Sequence, residues 1–271
     1  MDLTTSYTTA FPPKLLSKYV FSEVRNASSV LSASCPSEWQ EVMSFLDRFV
    51  LRTEDLMFPG GRKSRVVERL EELFYANDWK ETRVDTEQIV YKVPKVTGES
   101  TPVKLNSLTI SQRIDITNRF PHIQPTNVFQ EGYLIDALKG RLAVDIEWNA
   151  KDGNLDRDIL AYRAWYDLGI IDGAILITKE LSSCKELVTN LWEDYISADP
   201  QYKNYLPPVD LKTSTTTTIE KARERIMRGD SGGCPVLIVG ITDQCSDHVP
   251  LMNVPNLNRI LAASKKRTSK N

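Results

Sequence analysis

The chain has 271 residues, of which 41% are hydrophobic and 26% are charged, as expected of a globular protein of one large domain or a domain with an appended subdomain. The net charge of −2 excludes a strongly basic protein and counts mildly against a nucleic-acid binder. The four cysteines show no C-x₂-C spacing, which argues against a zinc site. No segment approaches ~20 apolar residues, and residues 1–13 contain no apolar run. We therefore expect a cytoplasmic protein without a signal peptide or membrane span.

Residues 1–60 are predicted to form a helical region that packs on the core. Residues 14–31 favour one weak helix, and Ser37 with Gln40 forms a capping box that opens a second. An apolar stripe follows at helical spacing: Trp39, Val42, Phe45, Leu46 and Phe49. A third helix, over 66–75, begins a main domain expected over residues 61–260, and residues 261–271 read as a disordered basic tail.

The middle of the chain is less regular. Residues 81–93 indicate strands, whereas residues 94–125 are rich in Thr, Ser and Pro and are interpreted as a loop that carries, at most, one further strand.

The most informative pattern is a group of three acids, Asp136, Asp145 and Glu147. Apolar residues alternate with other residues over 142–148, which is the period of two of a β-strand, so Asp145 and Glu147 share one face about 6–7 Å apart. Lys139 and Gly140 can turn the chain, and the resulting hairpin brings Asp136 beside Asp145. Three carboxylates gathered on one face indicate a site for a divalent cation that hydrolyses phosphodiesters.

The alternative is that these acids mark the water-exposed face of a half-exposed strand. The next elements favour the first interpretation. Residues 155–168 predict a helix that ends at Gly169, and residues 174–178 predict a buried central strand. Together these elements predict an α/β fold, an αβα sandwich with a mixed central sheet and an N-terminal helical region, with the acids at one edge of the sheet.

The last third of the chain predicts an amphipathic helix over 179–196, a loop over 199–216, a capped helix over 217–228 and a second buried strand over 234–242. Between these last two elements, Gly229-Asp-Ser231-Gly-Gly resembles the nucleophile motif of chymotrypsin-like proteases. The chain has only His122 and His248, neither in a suitable context, so we reject a protease. The loop is either a glycine-rich helix-to-strand turn or a DNA-contacting segment led by Arg228.

Three segments resemble one family, the BglII/BstYI group of type II restriction endonucleases within the PD-(D/E)xK nucleases. They are Ala76-Asn-Asp-Trp79-Lys-Glu-Thr-Arg83, the acid hairpin from Asp136 to Glu147, and Arg228-Gly-Asp-Ser-Gly-Gly-Cys-Pro235-Val-Leu-Ile-Val-Gly240-Ile. The resemblance covers roughly residues 60–242. Two positions depart from the family: Asp145 stands where Glu is common, and Glu147 stands where close relatives have Gln and most of the superfamily has Lys.

The resemblance implies a site-specific deoxyribonuclease that hydrolyses double-stranded DNA with Mg²⁺. Asp136, Asp145 and the Ile146 carbonyl are expected to hold the metal, and Glu147 is expected to orient or deprotonate the attacking water or to share a second cation. It also implies a homodimer that cuts a short palindrome, with a GATC centre as one option, and a cognate DNA methyltransferase as a cellular partner.

Residues just after the acid strand are candidates for DNA contacts: Asn149, Lys151, Asn154 and Arg157, together with Arg228. Helix capping by Asn154 and simple solvent exposure of the others are the competing interpretations. Residues 94–125 are a further candidate, as a loop that wraps DNA. Two other classes stay open: a structure-specific repair nuclease or resolvase of the same fold, and a non-catalytic DNA-binding module.

Overall fold

The computed structural model describes residues 1–59, 63–209, 211 and 216–266, and only the backbone of Asp152 and Lys266. By their internal contacts the residues form two compact units, Met1–Thr82 with Ile135–Asn271, and Arg83–Leu134. This division does not coincide with the boundaries expected near residues 60 and 260, which stay a prediction.

The larger unit is built on a six-stranded mixed sheet. Its strands lie in the order β1-β9-β7-β6-β5-β2. The central strands β6, β7 and β9 are parallel, whereas β1 pairs antiparallel with β9 and β5 pairs antiparallel with β6. The bounds are β1 Tyr19–Val24, β2 Lys80–Arg83, β5 Leu134–Lys139, β6 Leu142–Ile146, β7 Gly173–Lys179 and β9 Val236–Ile241.

Helices cover both faces of this sheet. On one face, Val144, Ile177 and Val239 belong to a large apolar core shared with three helices, α3 (Ala27–Ser34), α4 (Pro36–Arg48) and α6 (Arg65–Tyr75). On the other face, α11 packs so closely on β9 that a Cβ on Gly240 would meet the Ile219 side chain at 2.9 Å. The sheet is therefore the middle layer of an α/β sandwich, as the sequence predicts.

The helices in the described part of the chain are α1 Tyr7–Ala10, α2 Pro13–Lys18, α3 Ala27–Ser34, α4 Pro36–Arg48, α5 Thr53–Met57, α6 Arg65–Tyr75, α7 Ile110–Ile114, α8 Ile116–Arg119, α9 Asp152–Asp167, α10 Leu181–Ala198, α11 Ile219–Arg228 and α12 Leu257–Ala262. Short 3₁₀ turns lie at Leu105–Ser107, Pro200–Tyr202, Asp243–Cys245 and Leu251–Asn253. Strands β8 Tyr205–Leu206 and β10 Lys265–Lys266 pair antiparallel and form a separate two-stranded ribbon.

The prediction of one helix over residues 14–31 is wrong. Residues 19–24 form β1, and Arg25 and Asn26 then turn the chain with φ of 59° and 51° before α3 begins. Five of the six β1 residues are buried, because the strand pairs with β9 at the other end of the sequence. This long-range pairing outweighs the weak local preference for a helix.

The predicted capping box is also wrong, although the helix and its stripe are confirmed. Helix α4 begins at Pro36 with Cys35 as the N-cap, two residues before the predicted N-cap Ser37. Proline suits the first helical position because its fixed φ is compatible with a helix and it lacks an N–H to satisfy. The predicted apolar stripe is buried: Trp39, Val42, Phe45, Leu46 and Phe49.

The smaller unit, Arg83–Leu134, corrects the interpretation of residues 94–125 as a loop. These residues include α7 and α8 and the start of strand β4. Strands β3 Thr86–Lys92 and β4 Gln124–Gln130 pair antiparallel, from Thr86 opposite Gln130 to Lys92 opposite Gln124.

Two further expectations differ from the structure near the C-terminal half. Lys179 ends strand β7 and does not open the following helix, which begins at Leu181. Residues 261–271 are expected to be a disordered tail, but residues 261 and 262 end α12 and residues 265 and 266 form β10. Residues 267–271 lie outside the described residues. Within the described ranges, no helix has the length and hydropathy needed to cross a bilayer.

Candidate active site

The predicted acid hairpin is present. Strands β5 and β6 pair antiparallel with Ala137 opposite Val144 and Lys139 opposite Leu142, a register that places Asp136 across from Asp145. Gly140 turns the chain with φ of 54°, a left-handed conformation that glycine adopts without a Cβ clash. The two aspartates are thus brought together as the sequence predicts.

Reciprocal hydrogen bonds fix the two aspartates. The Asp136 carboxylate accepts the Ile146 N–H at 2.8 Å, and the Asp145 carboxylate accepts the Asp136 N–H at 2.8 Å. The second oxygen of Asp145 accepts the Tyr162 hydroxyl of α9 at 2.6 Å. In a strand, the N–H and C=O of one residue face the same neighbour, so the Ile146 carbonyl also points toward the Asp136 side.

Burial decides between the two interpretations of the acids. Asp145 is 4% exposed and Glu147 is 9% exposed, and all five residues of β6 are buried. The alternative of a water-exposed strand face is therefore wrong. A buried ionised carboxylate without a cationic partner is unfavourable, so this cluster needs compensation from added protons or positive charge.

The pKa values of these acids reflect that burial. Burial, followed by the charge of Asp145, raises the pKa of Asp136 to about 7. Burial, followed by the charge of Asp158, raises the pKa of Asp145 to about 7 and that of Glu147 to about 9. Without added positive charge the cluster therefore holds protons at neutral pH.

Helix α9 adds two residues to the site that the sequence analysis missed, Asp158 and Tyr162. Asp158 is 3% exposed; its carboxylate accepts a bond from Arg157 and lies within hydrogen-bond reach of the Glu147 carboxyl. Tyr162 is fully buried against Asp145. A signal was present: Asp158 lies three residues after Leu155 and four before Tyr162, within the apolar stripe of the helix.

The donor set suits a hard divalent cation, because Asp136, Asp145 and the Ile146 carbonyl offer only oxygen ligands. The raised pKa values of Asp136 and Asp145 come first from burial and second from neighbouring carboxylates, and a bound cation would favour the ionised forms. However, no three carboxylate, imidazole or thiol side chains of the described residues converge closely enough to enclose a metal ion. The ligand chemistry fits, and the side chains would have to shift to complete the coordination.

The candidate DNA-contact residues follow the site directly. Asn149, Lys151 and Arg157 are exposed, and Asn154 is half-buried. The suggested capping role of Asn154 is wrong, since α9 begins at Asp152 with Lys151 as N-cap and Asn154 lies inside the helix. The Arg157 guanidinium contacts the Asp158 carboxylate at 2.8 Å.

The glycine-rich segment is a helix-to-strand turn. Helix α11 ends at Arg228, Gly229 closes it with φ of 90°, and β9 begins at Val236. The Ser231 hydroxyl is fully buried and has no hydrogen-bond partner among the described residues, which include both histidines, so it lacks the histidine contact that a protease needs. Arg228 is 59% exposed and pairs with Asp230 at 2.9 Å.

The sequence matches the model of the family described as Restriction endonuclease BglII/BglIII over residues 19–241. The chain belongs to this family. The endonuclease is therefore a DNA-directed nuclease and a hydrolase. Its family match begins at Tyr19, not near residue 60 as expected, because β1 is an integral strand of the central sheet. A comparison with curated proteins found no match.

Proposed function

We propose that this endonuclease hydrolyses phosphodiesters of double-stranded DNA at a short palindromic site, with Mg²⁺ as cofactor. The observation that carries the proposal is the carboxylate cluster of the β5–β6 hairpin, in which Asp145 and Glu147 are buried and Asp136 is half-buried. Buried acids that repel each other weaken a fold, and perturbed carboxylates of this kind are concentrated at functional sites.

In this proposal Asp136 and Asp145 hold Mg²⁺ together with the Ile146 carbonyl. The bound cation would supply Lewis acidity at the phosphate and lower the pKa of a coordinated water. Tyr162 and the backbone N–H groups orient the two aspartates through the hydrogen bonds described above.

Glu147 orients the attacking water or accepts its proton. Its raised pKa means that the carboxyl is protonated at neutral pH in the free protein. Positive charge in the site favours the ionised form, so Glu147 becomes a competent base only in the loaded site.

We further propose a homodimer, because cleavage of both strands of a palindrome calls for matching two-fold symmetry in the protein. A GATC centre is one candidate for the target, and a cognate methyltransferase would protect the same site in host DNA. Sedimentation of the free protein measures the first of these proposals directly.

The test is a digest of DNA of known sequence with Mg²⁺, followed by mapping of the ends. Discrete fragments with ends at one palindrome support the proposal, whereas ends that follow branches or lesions would indicate a structure-specific nuclease. Protein that cuts nothing and shows no saturable Mg²⁺ or Ca²⁺ binding in a calorimetric titration would point to a non-catalytic module.

Arg228 gives a prediction for DNA recognition. If its guanidinium leaves Asp230 to contact DNA, Arg228→Ala lowers affinity for the specific site by roughly 5- to 150-fold, the equivalent of about 1–3 kcal/mol for one base or phosphate contact. Titration of labelled DNA measures the change. The exposed Arg52 provides the control, since Arg52→Ala removes the same charge from a different surface. Unchanged affinity and cleavage in Arg228→Ala would exclude a DNA contact and leave Arg228 only its ion pairs with Asp156 and Asp230.

A further inference from the structure

Lys179 is a buried lysine beside the acid strand that the mechanism above does not use. It ends strand β7, is 0% exposed, and is among the largest fully buried side chains of the described residues. Burial lowers the pKa of its ammonium to about 8. A buried ammonium is unfavourable unless its hydrogen bonds are satisfied. The groups that accept those bonds therefore indicate which segments the lysine holds together.

The acceptors of Lys179 belong to two segments. The ammonium donates to the Trp148 carbonyl, to the Asn149 side-chain oxygen at 3.3 Å, and to the Thr217 carbonyl at 2.9 Å. These three acceptors match the three N–H groups of a lysine. One side chain thus joins the end of β7 to the residues after Glu147 and to the residue before the N-cap of α11.

Thr217 strengthens the same connection. Its hydroxyl donates to the Glu147 carbonyl at 3.0 Å, and its N–H donates to the Ala150 carbonyl at 3.1 Å. Residues 147–150 therefore have three backbone carbonyls and one side chain held by Lys179 and Thr217. The Glu147 N–H is fixed as well, because it donates to the Ile177 carbonyl of β7 at 2.8 Å.

We propose that Lys179 is a positioning residue that, together with Thr217, fixes the backbone of Glu147 and of the three residues after it. The inference rests on the proposed function of Glu147. β6 ends at Ile146, so the sheet alone does not fix residues 148–150. Catalytic side chains must be held to within about 0.5 Å of their working geometry, and interactions behind them provide that precision.

The experiment compares single-turnover cleavage by three variants with the wild type, below the unfolding temperature of each. Lys179→Met removes the ammonium, Thr217→Val removes only the hydroxyl, and Thr217→Ser retains it. We expect Lys179→Met and Thr217→Val to cleave roughly 10- to 100-fold more slowly, as for other residues that orient a catalytic group. Thr217→Ser should recover most of the rate. Lys185→Met, at an exposed position of α10, controls for the loss of a lysine.

A purely structural role would lower the unfolding temperature but leave the rate per folded molecule unchanged. Wild-type rates in both Lys179→Met and Thr217→Val would therefore overturn the inference, even if both variants melt earlier. Should Lys179→Met fail to fold, the comparison of Thr217→Val with Thr217→Ser decides, because the first variant lacks the hydroxyl and the second retains it. Wild-type protein that cuts no DNA would instead overturn the proposed function.

Discussion

Replacing Asp136 by asparagine is expected to reduce Mg²⁺-dependent cleavage at least about 1,000-fold, or about 4 kcal/mol in the barrier. The asparagine oxygen can still accept the Ile146 N–H, so the hairpin stays in place while one anionic ligand is lost. The rate of plasmid cleavage under single-turnover conditions measures the effect.

The same variant is expected to be more stable than the wild type at about pH 8 without divalent cations, because the ionised Asp136 carboxylate is unfavourable in its buried setting. A raised melting temperature with lost activity separates a functional loss from unfolding. Asp167→Asn, at an exposed position of α9, is the matched control and should cleave normally. Normal cleavage by Asp136→Asn would remove Asp136 from the site.

Divalent cations are expected to stabilise the protein strongly at high pH and weakly at low pH. The folded-state pKa values of Asp136 and Asp145 lie near 7, above their ordinary value of 3.8. Protonation of these two carboxyls stabilises the folded state; this contribution is fully present below about pH 4 and is lost as the pH rises through 7. The corresponding contribution of Glu147 is lost as the pH rises through about 9. For the buried Asp145 this loss is on the order of a few kcal/mol.

Thermal unfolding with a chelator and with Mg²⁺ or Ca²⁺, at about pH 5.5 and about pH 8.5, measures this linkage. The cation should raise the melting temperature more at the higher pH, where the carboxylates are ionised and otherwise uncompensated. A double variant, Asp136→Asn with Asp145→Asn, should lose most of the cation effect but only part of the pH dependence, because Glu147 still titrates with a raised pKa. Equal cation effects at the two pH values would argue against binding at these carboxylates.

The sequence predicts the centre of the sandwich because its signals are local. The period of two over 142–148 and the turn at Gly140 define the hairpin, and the apolar runs over 174–178 and 236–241 define buried parallel strands. Helix α9 is predicted from its stripe, although the structure begins it at Asp152 and not at Leu155. The sequence pattern of each of these elements lies within the element itself, so the element can be predicted without knowing what it packs against.

The missed features depend on partners far away in the sequence. Strand β1 is recognisable only through its pairing with β9. The burial of Asp145 depends on α9 covering the second face of β6, which alternation alone does not reveal. Likewise, Lys179 at the end of an apolar run looks like a first solvent-exposed residue, whereas Thr217 and Trp148 enclose it.

The pairing of β1 with β9 also affects how this enzyme folds during its synthesis. Strand β1, at residues 19–24, is synthesised early, but it can pair with β9 only after residues 236–241 have left the ribosome. Until then β7 lacks its partner along one edge, so the sheet that carries the acid hairpin is incomplete. Polypeptides that lack residues 236–241 are thus expected not to cleave DNA.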